Sequence, residues 1–370
     1  MTERYICGYL NLTTHAYMDV ERPPVPANPS MYAWVGESAG GDNGGFKSKM
    51  DYHKNLWFMA CDAWNGVSIM YLVRATKNPD DSVDLAYKQI SLPPNNLYCA
   101  TPNQLTIDKN DNVYFGTGGN VQPAQAFYYM AKVTNTQDPD PANWVITWYA
   151  NAFVPTSIGT YGVSLSKDHS KIVTCVAGVT ANSVLAVINT TTMVTAIEKD
   201  IGEYESPLNF ETDVSGISAP AGNDNWAFCV GKTQGKIVGI DLTTPANALT
   251  KTDVISSSEK TLMIKTNGDV VTGWHDEGGV QHNYETLYAV AGSGTLAAGV
   301  QNEVFVPTYS VMNHGDIIRA DANTRIWSSG YAQSEIQGQV REVTNSTQNQ
   351  RVATADYRYI STACERETYT

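Results

Sequence analysis

Apolar positions in this chain come in short runs cut apart by Asn, Asp, Gly and Pro, with no long stretch at helical spacing. Residues 103–150 show the pattern: "NQLTID", the polar "KNDN", "VYFGTG", a loop, "AFYYMAKVT", the polar stretch "NTQDPDPAN", and "WVITWYA". Runs this short, rich in β-branched and aromatic residues and bounded by turn formers, predict four strands with no helix between them. The same order returns at 161–202, 213–255, 260–305 and 315–358.

A finer repeat sits inside it. An apolar run closing on a small residue appears as "RYICGYL", "LWFMACDA", "NVYFGTGG", "KIVTCVAG", "NWAFCVGK", "DVVTGWHD" and "RIWSSGYA". The small position is held by Cys7, Cys61, Gly116, Cys175, Cys229, Gly273 and Ser329, at intervals of 54, 55, 59, 54, 44 and 56 residues. A period near fifty suits a four-stranded unit with its loops better than a helical repeat. The residues after Ser329 and before Cys7 together supply about one more period, so the pattern predicts seven units in a ring. "RYICGYL" fits a second strand. Its first strand is then expected from the C-terminal "YRYISTACE" at 357–365, which puts both termini in one blade and leaves no open edge.

This organisation resembles the β-propeller superfamily over essentially the whole chain. The resemblance implies an all-β fold in one domain over 1–370: a seven-bladed β-propeller of four-stranded antiparallel blades, its ring closed by N- and C-terminal strands in one blade. It points to no particular family, because neither the "GH…WD" signature of WD40 repeats nor the kelch double glycine occurs. Residues 12–50, rich in Pro and Gly, fit the repeat least and are expected to form an irregular insertion or arm within the first blade.

Charge removes several classes of function. The chain carries 24 Lys and Arg against 37 Asp and Glu, a net charge of −13, with no block of basic residues. The electrostatic attraction that drives nucleic-acid binding is therefore missing. No apolar run reaches the length of about 18 residues that reads as a membrane-spanning helix. The N-terminal "MTERYICGYLNL" lacks the basic and apolar segments of a secretory signal, so neither nucleic acid nor membrane insertion is expected.

The cysteine slot is shared with Gly and Ser, so it asks for a small side chain, and packing rather than reactivity is the reading for its cysteines. "DKNDN" places Asp108, Asn110 and Asn112 like the alternating ligands of a calcium loop, but the glycine and the bidentate Glu of an EF-hand are missing. Equivalent positions read "KDHS", "GNDN", "TNGD" and "DANT". That repetition marks a tight turn between first and second strands.

Histidine placement carries more chemistry. In a propeller, the connections leaving second strands and entering first strands open on one face, where ligand sites sit. His15, His275, His282 and His314 fall there, with Asp19, Glu21, Asp276, Glu277 and Asp316, whereas His53 and His169 fall in turns of the opposite face. His275, Asp276, His282, His314 and Asp316 are the candidate ligands of a divalent metal, the one cofactor in view, or an acid and base pair. Trp64 and Trp274, with Tyr284, Tyr309 and Tyr331 near them, offer flat surfaces for sugar stacking or a protein contact. The binding set is thus Trp64, Trp274, His275, Asp276, His282 and His314. No catalytic residue is assigned, since G-x-S-x-G, P-loop, H-E-x-x-H and C-x-x-C are all absent.

Low charge combined with 21 Tyr and abundant Asn, Gln and Thr resembles the structural proteins of bacteriophage particles, tail and capsid-attached propellers among them. The resemblance implies a non-enzymatic virion module within an oligomer, mediating assembly or host-surface attachment, with other virion proteins and surface glycans as partners. Two alternatives stand beside it. One is a propeller enzyme, a metal-assisted lactonase or a polysaccharide lyase, using the His and carboxylate residues; the other is a carbohydrate-binding lectin.

Overall fold

The computed structural model of the chain describes residues 7–10, 17–20, 49–62, 69–80, 82–91, 105–116, 127–151, 157–166, 168–178, 183–200 and the strands between 207 and 355 named below. Side chains are described only between residues 49 and 194. A two-stranded antiparallel sheet pairs β1 (Cys7–Leu10) with β2 (Tyr17–Val20). Six four-stranded antiparallel sheets follow, each a meander in chain order.

The first four-stranded sheet holds β3 (Lys49–Met50), β4 (Leu56–Asp62), β5 (Ile69–Lys77) and β6 (Val83–Ile90). The next holds β7 (Leu105–Ile107), β8 (Val113–Gly116), β9 (Phe127–Thr134) and β10 (Val145–Asn151), followed by β11 (Ser157–Leu165), β12 (Lys171–Gly178), β13 (Ser183–Asn189) and β14 (Thr195–Asp200). Then come β15 (Pro207–Glu211), β16 (Trp226–Gly231), β17 (Lys236–Asp241) and β18 (Leu249–Asp253). The sixth sheet of the chain is β19 (Thr261–Ile264), β20 (Val270–Glu277), β21 (Val280–Tyr288) and β22 (Val300–Phe305). The last is β23 (Gly315–Ala320), β24 (Arg325–Ser329), β25 (Gly338–Asn345) and β26 (Gln348–Ala355).

First strands of successive sheets touch one another: β3 meets β7, β7 meets β11, β11 meets β15, β15 meets β19 and β19 meets β23. Meanders whose leading strands line up side by side are blades of a propeller, with first strands inside. Every residue of the small slot lies on a strand. Cys61, Gly116, Cys175, Cys229, Gly273 and Ser329 occupy the second strands β4, β8, β12, β16, β20 and β24, and Cys7 opens β1.

Alternation along β8 shows how the blades pack. Val113 and Phe115 join a buried cluster with Trp57, Leu72 and Trp144, against the preceding blade. Tyr114, between them, joins Leu165, Ile172 and Ile188 of the following blade. With period-two side chains, one strand feeds two interfaces, which is why a blade's middle strand reads as a continuous apolar run. Each large side chain buried there contributes about 1.5–3 kcal/mol.

Two stretches differ from the expectation from sequence. Tyr17–Val20, inside the segment read as irregular, is a strand paired with β1. "WHDEGGVQHNY", read as a connection, instead contributes to two paired strands, β20 and β21, separated by Gly278 and Gly279. Pairing uses backbone groups alone, so a run of polar side chains followed by two glycines continues a hairpin as readily as it forms a loop. The expected closing strand at 357–365 lies outside the described residues.

Candidate functional site

The densest polar chemistry among the described residues lies in the turns between first and second strands. Asp51 and Asp108 open two of them in the same way. Asp51 Oδ1 accepts from the backbone N–H of His53 and Asn55, at 2.9 and 2.8 Å, and its Oδ2 accepts from Asn55 Nδ2 and Trp57 Nε1, both at 2.8 Å. Asp108 Oδ1 accepts from Asn110 and Asn112 N–H at 2.8 and 3.0 Å, and its Oδ2 from Asn112 Nδ2 and the Tyr114 hydroxyl at 2.8 and 2.9 Å. The local rule is therefore Asp, Asn four residues on, and a hydrogen-bonding aromatic six residues on. Burial, then the Asp108 charge, pushes the Tyr114 hydroxyl well above its usual range, so it stays a donor.

Ser166 opens the third such turn, which is one residue longer: its N–H bonds the Lys171 carbonyl, where Asp51 and Asp108 bond those of Asn55 and Asn112. Burial pulls the Asp168 carboxyl upward, but hydrogen bonds from Ser166 and Ser170 outweigh it and hold the group below its ordinary value. All three turns place their fourth residue at positive φ: Lys54 at 68°, Asp111 at 59° and His169 at 61°. Asp and His tolerate that left-handed region better than most residues.

These turns are linked from blade to blade. Asp111 Oδ1 accepts the backbone N–H of Tyr52 in the preceding blade at 2.9 Å. One blade later, His169 Nδ1 accepts the backbone N–H of Lys109 at 2.8 Å. The same step recurs on the outer side. Arg74 pairs with Trp57 across β4 and β5, lies 5.9 Å from that ring, and donates through Nη1 to the Thr136 carbonyl of the next blade. Lys132 pairs with Tyr114 across β8 and β9, lies 5.3 Å from that ring, and donates to the Thr190 carbonyl of the next blade at 3.0 Å. Thr136 and Thr190 then donate their hydroxyls to the carbonyls of Asp111 and His169, closing each link. Burial lowers the Arg74 guanidinium's pKa, opposed by the charges of Asp51 and Asp138.

Asp51, His53 and Asp111 bring one ligand atom each within 4.8 Å of one another, close enough for a metal ion. Their partners point elsewhere. Asp51 also accepts from Gln137 Nε2 at 3.0 Å, so both of its oxygens are ringed by N–H donors that a cation would have to displace. Asp111 is held by Tyr52 and, at 2.6 Å, by His53 Nδ1, whose ring is 63% exposed over a carboxylate only 5% exposed. The group is a fastening between two blades. Asp108, in the "DKNDN" stretch read from sequence as a tight turn rather than a calcium loop, is engaged by its own turn in the same manner.

The residues singled out from sequence lie elsewhere. Trp64 and His314 fall outside the described residues, as do His15, Glu21, Tyr309 and Tyr331. His275 on β20 stands directly opposite His282 on β21, and Asp276 opposite Gln281. The register slips between Gly273 and His275, a bulge that contains Trp274. Tyr284 pairs with Glu303, Asp316 with Ser328, and Asp19 with Gly8. The backbone thus brings His275 and His282 together. The blade-to-blade links had no signal in any single segment; what would have found them is comparison of positions one repeat apart.

No family model and no curated protein matches the chain. Solved structures do. The periplasmic gluconolactonase of Pseudomonas aeruginosa is similar with a TM-score of 0.54 at 9% identity, covering 86% of this chain and 86% of that one. A putative 6-phosphogluconolactonase from Bacteroides uniformis is similar with a TM-score of 0.52 at 12% identity, covering 95% and 94%. A structure described as the Dos1 propeller is similar over 76% of this chain and 65% of that one, at 11% identity and a TM-score of 0.47. The fold is a β-propeller. Among the described residues, no helix is long and apolar enough to cross a membrane.

Proposed function

We propose that the chain is a seven-bladed, ring-closed propeller acting as a non-enzymatic binding module of a virion, in assembly or host-surface attachment. The observation that carries this reading is the employment of its polar turns. Asp51, Asp108, Asp111, Arg74 and His169 are buried, and each is engaged in holding a turn or linking one blade to the next. A scaffold fastened in this way presents fixed loops to a partner and needs no reacting group. The low charged fraction, 16%, and the 21 Tyr favour contact surfaces of the Tyr- and Asn-rich kind.

A second reading makes the chain a lactonase, favoured by the two similar structures that are a gluconolactonase and a putative 6-phosphogluconolactonase. Purified chain offered gluconolactone, 6-phosphogluconolactone and an array of surface glycans separates the readings. The binding module predicts no lactone opening above the uncatalysed rate. Lactone turnover that is lost on changing His275 or His282 would overturn it, and glycan binding without turnover would assign the partner class as surface sugar.

A further inference from the structure

The register of the β20–β21 hairpin carries a site that the binding-module reading does not require. His275 and His282 are directly opposed, and Glu277 is opposed by Val280. Directly opposed residues of an antiparallel pair share a face of the sheet, with Cβ atoms about 4.5–5.5 Å apart. Residues two apart on a strand share a face as well. His275, Glu277 and His282 therefore occupy one face at the turn end of the hairpin. Asp276, paired with Gln281, belongs to the other face. The bulge just before His275 sets this alternation, because a one-residue slip exchanges every position between the two faces.

We propose that His275, Glu277 and His282 form a binding site for a divalent transition-metal ion of the zinc class. Two imidazole nitrogens and one carboxylate oxygen suit zinc and its neighbours, whereas calcium and magnesium prefer all-oxygen sets. Glu277 pairs with Val280 and so lies diagonally from His282, about 7–8 Å away between backbones. Three protein ligands leave a fourth position open to water or to a donor group of a bound partner. The ligand set differs from the candidates read from the sequence, His275, Asp276, His282, His314 and Asp316: Glu277 takes the place of Asp276, and His314 and Asp316 are not part of it. It holds for a binding module and for an enzyme alike.

The test is calorimetric titration of chelator-treated, full-length chain with zinc chloride, followed by cobalt(II) absorption as a report on ligand type. One ion per chain is expected. His275→Ala and His282→Ala should each weaken binding at least about tenfold, and Glu277→Gln should weaken it as well. Asp276→Asn and His53→Ala should leave it unchanged. Affinity should fall as the pH drops through about 6.5, because only neutral imidazole binds the ion. Far-ultraviolet spectra check that each variant is folded, and His282→Gln replaces the alanine variant if that one is not. No binding by the intact chain overturns the proposal. So does Asp276→Asn weakening binding as much as Glu277→Gln, which would put the ligands on the other face.

Discussion

The Nδ1 atom of His169 accepts a hydrogen bond from the backbone N–H of Lys109 at 2.8 Å, across the boundary between two blades. Because Nδ1 is the acceptor, the ring carries its proton on Nε2, 3.3 Å from the Tyr52 hydroxyl. His169→Ala removes the acceptor of this part-buried hydrogen bond. A loss of about 0.5–1.5 kcal/mol in urea unfolding is expected. His169→Asp should restore much of it, since Asp111 does the same work one blade earlier. Equal losses for both variants would mean that the link contributes nothing beyond packing.

Asp51 is the more costly residue to lose. Asp51→Ala orphans Nε1 of the fully buried Trp57 besides opening its own turn. Asp108→Ala orphans the Tyr114 hydroxyl in the same way. Each should lose about 3 kcal/mol or more. A denaturant midpoint unmoved by Asp51→Ala would contradict the turn geometry.

Arg74→Ala breaks the bond to the Thr136 carbonyl and the stack on Trp57 and Trp144, whose ring centroids lie 5.9 and 5.3 Å from the guanidinium carbon. A cost of about 2–4 kcal/mol is expected. Arg74→Lys should cost less, because Lys132 fills the equivalent place one blade on. In the last sheet, Trp327 is set opposite Arg341 in the register that joins Trp57 to Arg74. If the ring closes as proposed, Arg341→Ala should lower the thermal midpoint as Arg74→Ala does.

Acid should loosen the turns. The backbone N–H of Asp140, then Asn143, hold the Asp138 carboxyl below its ordinary value of 3.8. A folded value below the unfolded one gives stability that is present above 3.8 and is lost as the pH falls through the folded value. Asp168 is lowered too, through Ser166 and Ser170, and adds to the same loss. Unfolding free energy should therefore be flat in this contribution near neutrality and decline below about pH 4. In Asp138→Asn, part of that acid dependence should vanish.

Much of the architecture was legible in the chain because one position per blade accepts only small residues. Cys61, Gly116, Cys175, Cys229, Gly273 and Ser329 all fall on second strands, so their spacing reported the repeat directly. "DKNDN" was legible as a turn for the same reason, its echoes standing at the same place in other blades. What joins the blades was not. Tyr52 and Asp111 are 59 residues apart, Lys109 and His169 60, Arg74 and Thr136 62, and Lys132 and Thr190 58. Each link spans about one repeat and uses a side chain that, within its own segment, looks like an ordinary turn or strand residue. His275 and His282 were picked out by type, but their polar neighbours and the two glycines imitate a loop. Only the pairing register distinguishes Glu277 from Asp276.

The proposed virion role makes this propeller a bound component of a particle. The direct measurement is quantitative mass spectrometry of purified virus particles from the source culture. The account predicts the chain at a fixed whole number of copies per particle, retained through density-gradient purification. Its absence from intact particles, with the chain recovered only free in the lysate, would contradict it.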